Sequence, residues 1–132
     1  MDLKDLTPKS DTVVVELKHP ATFEPLLNED DSPMTVTLYA PHTKEHKTVL
    51  WAVTDERLKN AAKSGKIEVK SEDLELQSIE SLAKTTKEWN ITFDSEQPDL
   101  TYEKAKQIYT EVFWVKDQLE TALSSYMDFL KG

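Results

Sequence analysis

The sequence predicts an α+β domain in which an N-terminal antiparallel β-hairpin packs on three or so α-helices, the last of them long and amphipathic. Two short segments alternate apolar and polar residues, as strands with one buried face do. Later segments carry apolar residues at helical spacing, and no glycine or proline occurs from Thr101 to Lys131. The predicted elements are a β-hairpin with a long loop over 12–41 and helices over 43–64, 71–88 and 101–131.

A chain of 132 residues is long enough to bury one core and too short for two ordinary ones, so we expect a single domain over 1–132. Residues 1–11 are polar and include Pro8, which predicts a flexible arm before the first strand.

The hairpin is predicted from alternation with period two. The alternating apolar residues are Val13, Val15 and Leu17 in the first strand and Met34, Val36 and Leu38 in the second. Between them, Pro20 to Pro33 holds three prolines and a run of polar residues, which is typical of a solvated loop. A two-stranded ribbon is marginal alone, so we expect its apolar face to lie on helices.

Capping residues mark the two middle helices. Thr43 precedes a helical stripe of apolar residues, and Gly65 stands where a left-handed cap would end that helix. Ser71, followed by two acidic residues, predicts the start of the next helix. Residues 66–70 alternate apolar with charged side chains and are predicted as a short third strand.

The segment after Thr101 carries the most informative pattern. Its apolar seam, spaced alternately by three and four residues, consists of Ala105, Ile108, Val112, Val115, Leu119, Ala122, Tyr126 and Phe129. One uninterrupted helix of that length would run about 45 Å, which exceeds the width of a compact domain of this size. Part of it should therefore protrude or meet a partner, and the seam allows either self-association or packing within the chain.

The predicted partner-binding residues are Tyr126 of the seam itself, Tyr109, Leu123 and Leu130 on one side of it, Phe113 and Met127 further round, and Trp114 nearly opposite. Phe113 and Trp114 are adjacent, so their rings lie about 100° apart on a helix and cannot easily face the same core. Coverage of Trp114 by the domain's own ribbon or loop is the alternative. Trp51 and Trp89 are predicted to lie in the core.

Charge and composition exclude several classes of function. A formal net charge of −9 repels phosphate backbones and anionic lipids, so neither nucleic acid nor membrane is expected as a partner. The absence of cysteine excludes thiol catalysis and disulfides. With two glycines, one of them terminal, the chain lacks a phosphate-cradling loop. We therefore predict no enzymatic activity, no catalytic residue and no cofactor.

A metal site is the competing interpretation of one pair of residues. His42 and His46 stand four apart at the start of a predicted helix, a spacing that places two imidazoles on one face. A third ligand is not evident, so solvated residues of a turn and a helix end are preferred, and no metal is predicted.

The order of motifs resembles that of the small tail assembly chaperones of long-tailed bacteriophages, over nearly the whole chain. The shared features are a strand, His19-Pro20-Ala21-Thr22, a second strand, charged helices, Trp89-Asn90, an acidic loop and a capped helix that ends near Phe129. The chain departs from the family by carrying Phe23 where a glycine often stands. It also has no glycine in the loop after Trp89.

The resemblance implies a non-catalytic protein of the host cytoplasm that binds the tape measure protein and tail tube subunits and keeps them soluble during tail assembly. A structural virion component, such as a head–tail connector or a tube-associated subunit, is the alternative function. Either reading places protein–protein contacts on the C-terminal helix.

Overall fold

The structure, a computed structural model, describes residues 11–64 and 71–126 of the chain. It has an antiparallel sheet and four helices, so the predicted α+β class is confirmed. The elements are β1 (Thr12–Glu16), β2 (Thr35–Tyr39), α1 (Lys44–Ser64), α2 (Ser71–Thr85), β3 (Thr86–Asn90), α3 (Tyr102–Glu111) and α4 (Phe113–Ser125).

The sheet has the order β1-β2-β3, with both pairs antiparallel. Val13 lies opposite Leu38 and Val15 opposite Val36, so the predicted antiparallel pairing of the first two strands is confirmed. The hairpin prediction is right only in part, because a third strand from later in the chain pairs with β2 and makes it the central strand.

That third strand replaces the end of a predicted helix. The prediction of a helix to residue 88 is wrong, since α2 ends at Thr85 and β3 begins at Thr86. The hydroxyls of both threonines donate to carbonyls of the last helical turn, Thr85 to Ser81 at 2.8 Å and Thr86 to Leu82 at 2.7 Å. Bonds of this kind compete with the regular hydrogen bonds of the helix, and β-branched residues such as threonine have a lower helix propensity. The chain therefore leaves the helix here and extends along β2 as β3, and Ile91, just after β3, is buried.

Two helix starts follow the predicted caps. The Thr43 hydroxyl accepts the backbone N–H of His46 at 3.2 Å, and the Thr101 hydroxyl accepts that of Lys104 at 3.1 Å. Each bond satisfies a donor that the first helical turn leaves without a partner. The predicted cap at Gly65, the strand over 66–70 and the arm up to residue 10 lie outside the described residues.

The prediction of one uninterrupted helix over 101–131 is wrong. Val112 leaves the helical conformation with φ −110° and ψ 72°, and it separates α3 from α4. A β-branched residue followed by two aromatics has low helix propensity, so a break there is less costly than elsewhere in the segment. The break lets both helices pack on the same core, α3 through Ile108 and α4 through Leu119.

The core lies between one face of the sheet and helices α2, α3 and α4. Its buried members are Val15, Leu17, Val36, Leu38, Ile79, Leu82, Ala83, Ile91, Ala105, Ile108, Tyr109, Val115 and Leu119. Helix α1 packs on α2. Within residues 11–64 and 71–126, no helix combines the length and the apolar character that crossing a bilayer requires.

Candidate protein-binding surface

Tyr109 is not available to a partner, so its assignment as a partner-binding residue is wrong. Its side chain is fully buried in the core, and its hydroxyl lies 2.7 Å from the hydroxyl of Thr86. Thr86 already donates its proton to Leu82, so Tyr109 is the donor of this bond. Tyr109 lies beside the seam on α3 and points inward, where its hydroxyl finds a partner on the third strand of the sheet.

Other predicted partner-binding residues are largely engaged within the chain. Trp114 and Leu123 are half-buried and pack against the core, as the alternative for Trp114 proposed. The ring of Tyr126 is stacked on that of His42, with centroids 6.0 Å apart and planes 5° from parallel. Met127 and Leu130 lie outside the described residues.

Phe113 keeps the character that the sequence predicted. It is the first residue of α4, directly after the break at Val112, and 67% of its side chain is exposed. Trp114, the next residue of α4, is turned about 100° around the helix, so its ring packs on the core while that of Phe113 faces solvent. One of the two adjacent rings is thus free for a partner.

More exposed apolar side chains lie on α1 and α2 than on α3 and α4: they are Leu50, Trp51, Leu58, Leu74 and Leu76. Trp51 and Leu58 are each 63% exposed, so the prediction that Trp51 belongs to the core is wrong. We call the side of α1 that carries Trp51 and Leu58 the α1 apolar surface.

The geometry of α1 places its two most exposed apolar residues together. Trp51 and Leu58 are seven residues apart, which brings them within about 20° of each other around the helix and about 10 Å apart along it. Val53 is buried, and two residues of separation set it roughly 160° from Trp51. The face that α1 turns to the domain is therefore opposite the face that carries Trp51.

The sequence prediction placed Trp51 in the core because tryptophan is highly buried on average. The predicted apolar stripe of α1 did not distinguish the two sides of the helix, since it contained both Val53, which is buried, and Leu58, which is exposed beside Trp51.

The charge of α1 contrasts with that of the whole chain. Its five basic residues outnumber its three acidic ones, whereas the chain carries a net charge of −9. A shallow groove of about 440 Å³ lies at its N-terminal end, with Lys44, Val49 and Lys84 among its lining residues. Helix α1 thus combines exposed apolar side chains with a small excess of positive charge, which suits an apolar segment with acidic neighbours.

The histidine pair has separate roles in the fold. His46 is buried, and this burial lowers its pKa, while a hydrogen bond to the backbone of Tyr39 opposes the shift. The Nε2 of His42 lies 3.7 Å from a carboxylate oxygen of Asp11. Among the described residues, no group of three or more histidine, aspartate or glutamate side chains is arranged to hold a metal ion.

Comparison of the chain with family models, with curated proteins and with solved structures found no match. The surface chemistry and the motif resemblance are therefore the grounds on which a function is proposed.

Proposed function

We propose that the chain is a non-catalytic tail assembly chaperone that binds a helical segment of the tape measure protein through the α1 apolar surface. The single observation that carries the proposal is the pair Trp51 and Leu58, exposed together on one side of α1. Phe113 adds a further contact at the break between α3 and α4.

Burial of these side chains supplies a driving force for binding. Covering a large apolar side chain stabilises a complex by roughly 1.5–3 kcal/mol, so Trp51 and Leu58 together contribute several kcal/mol before the loss of freedom on association. An amphipathic helix lying along α1 would cover both, since two turns of helix match their spacing. Such docking hides apolar surface on both proteins at once.

The charge distribution supports the same function. An acidic chain with a net charge of −9 keeps a complex soluble while its apolar faces are engaged. The positive excess on α1 favours a partner segment that carries acidic residues beside its apolar seam. A chaperone of this kind binds its partner and catalyses no reaction.

Co-expression tests the proposal. The tape measure protein is produced with the wild-type chain, with the Trp51→Ser/Leu58→Ser variant, or alone, and its soluble fraction is measured. The proposal expects solubility with the wild-type chain and aggregation in the other two cases. Val14→Ser is the matched control, since Val14 is equally exposed but lies on β1.

A structural virion component is the alternative, and the composition of purified particles separates the two. Absence of the chain from finished virions is expected of a chaperone. A fixed copy number in every particle would contradict the chaperone function and favour a connector or tube-associated subunit.

A further inference from the structure

Phe23 combines two unusual properties. Its backbone has φ 61°, in the left-handed region that favours glycine, and 72% of its side chain is exposed. The other described residues with positive φ are Asp31, Asp94 and Ser95, which are short and polar. Aspartate tolerates the left-handed region better than bulky residues do, whereas a phenylalanine there is an outlier.

The loop around Phe23 fixes that conformation. The N–H of Phe23 donates to the carbonyl of His19 at 2.9 Å, and the N–H of His19 donates to the carbonyl of Glu24 at 2.9 Å. The Nδ1 of His19 accepts the N–H groups of Ala21 and Thr22 at 3.1 and 3.2 Å. The turn therefore closes with a left-handed residue at the position where a glycine cap is usual.

A residue in this position gains nothing for folding from being aromatic. Its ring is mostly in solvent, and its Cβ opposes the left-handed backbone. Sparsely populated backbone conformations that the surrounding structure enforces cluster at binding sites. The ring is therefore available for a contact outside the chain's own fold.

We infer that Phe23 is an aromatic anchor that inserts into an apolar pocket, bordered by basic side chains, on a folded protein partner. A single projecting ring on a rigid turn fits a preformed pocket, in contrast to the extended contact that suits α1. The proposed function, on which this inference rests, assigns the helical segment of the tape measure protein to α1, so the tail tube subunit is the partner in which the pocket is sought.

The acidic residues of the loop that carries Phe23 indicate which charges would border the partner's pocket. Glu24 follows Phe23 directly, and Glu29, Asp30 and Asp31 lie further along the same loop. The hydrogen bonds from the side chain and backbone of Ser32 lower the pKa of Asp30, so this carboxylate stays ionised. Basic residues around the partner's pocket would complement these charges, and added salt should weaken the complex.

Glycine and alanine variants distinguish the contribution of the Phe23 ring to binding from the effect of its left-handed backbone on stability. Phe23→Gly removes the ring and the steric conflict, whereas Phe23→Ala removes the ring and keeps a Cβ in the left-handed conformation. The glycine variant should therefore unfold at a temperature about 3–5 °C above that of the alanine variant. Leu27→Ala is the matched control, because Leu27 is another exposed apolar residue of the loop.

Binding is measured by calorimetry with purified tail tube subunit as the probe, and with the tape measure protein in parallel. We expect both Phe23 variants to bind the tail tube subunit at least about tenfold more weakly than wild type, with Leu27→Ala and tape measure binding unchanged. Wild-type affinity in the glycine variant would overturn the anchor while leaving the proposed function intact. Failure of the wild-type chain to bind either probe would overturn the proposed function, and the anchor with it.

Discussion

The side-chain amide of Gln118 binds both backbone groups of Lys18. Its Oε1 accepts the N–H of Lys18 at 2.9 Å, and its Nε2 donates to the carbonyl of Lys18 at 2.8 Å. A side chain of α4 thus imitates a neighbouring strand just beyond the end of β1. The pair joins the last described helix to the edge of the sheet and blocks further pairing at that point.

Replacement of Gln118 tests the strength of this link. Gln118→Ala removes both hydrogen bonds, each worth about 1 kcal/mol at most because solvent reaches the pair. We expect the free energy of unfolding in urea to fall by about 1–2 kcal/mol. Gln97→Ala, at an exposed loop residue, is the control, and an equal loss in both variants would contradict the role of the pair.

The ionisation of Tyr109 makes the free energy of unfolding depend on pH in the alkaline range. Burial raises its pKa to about 12, so the folded state keeps the proton that the unfolded state loses near pH 10. Its contribution is complete below pH ~10 and is lost as the pH rises toward 12, a loss of about 2–3 kcal/mol.

Tyr109→Phe should therefore flatten the decline in unfolding free energy above pH ~10. Some decline will remain, because desolvation also raises the pKa of Tyr102 and of Tyr126. Unfolding by urea at several alkaline pH values provides the measurement. A variant that declines as steeply as wild type would show that Tyr109 ionises as readily in the folded state as in the unfolded one.

His46 gives the opposite dependence in mild acid. Burial lowers its pKa in the folded state, so the unfolded state takes up a proton first as the pH falls below about 6.5. Stability is expected to be complete above that pH and to fall as the pH drops through the lowered pKa. His46→Leu, which keeps an apolar side chain in the site, should reduce the slope between pH 7 and 5, and an unchanged slope would contradict the assignment.

Patterns that depend on neighbouring residues predicted the fold well. The alternation in Val13–Leu17 and the caps at Thr43 and Thr101 act locally, and the structure has strands or helix starts at each. The end of α2 was missed because the transition at Thr85 depends on β2, a strand more than forty residues earlier that accepts β3. Such distant pairing leaves little trace in a local pattern.

The candidate site shows the same limit. The apolar seam after Thr101 predicted a buried face correctly. It did not predict what covers that face, because the break at Val112 lets both helices pack on the chain's own core. Phe113 was identified because two adjacent rings cannot share one face of a helix. Trp51 was missed because its residue type suggested the core and because the predicted stripe of α1 contained residues from both the buried and the exposed side of the helix.

The most direct test of the central claim is the affinity of the purified chain for a helical segment of the tape measure protein, measured by calorimetry. Trp51→Ser/Leu58→Ser should keep the wild-type unfolding temperature, since both side chains are largely exposed, and should weaken binding by at least about a hundredfold. Binding as tight as that of wild type by the folded variant would contradict the claim that the α1 apolar surface receives the partner.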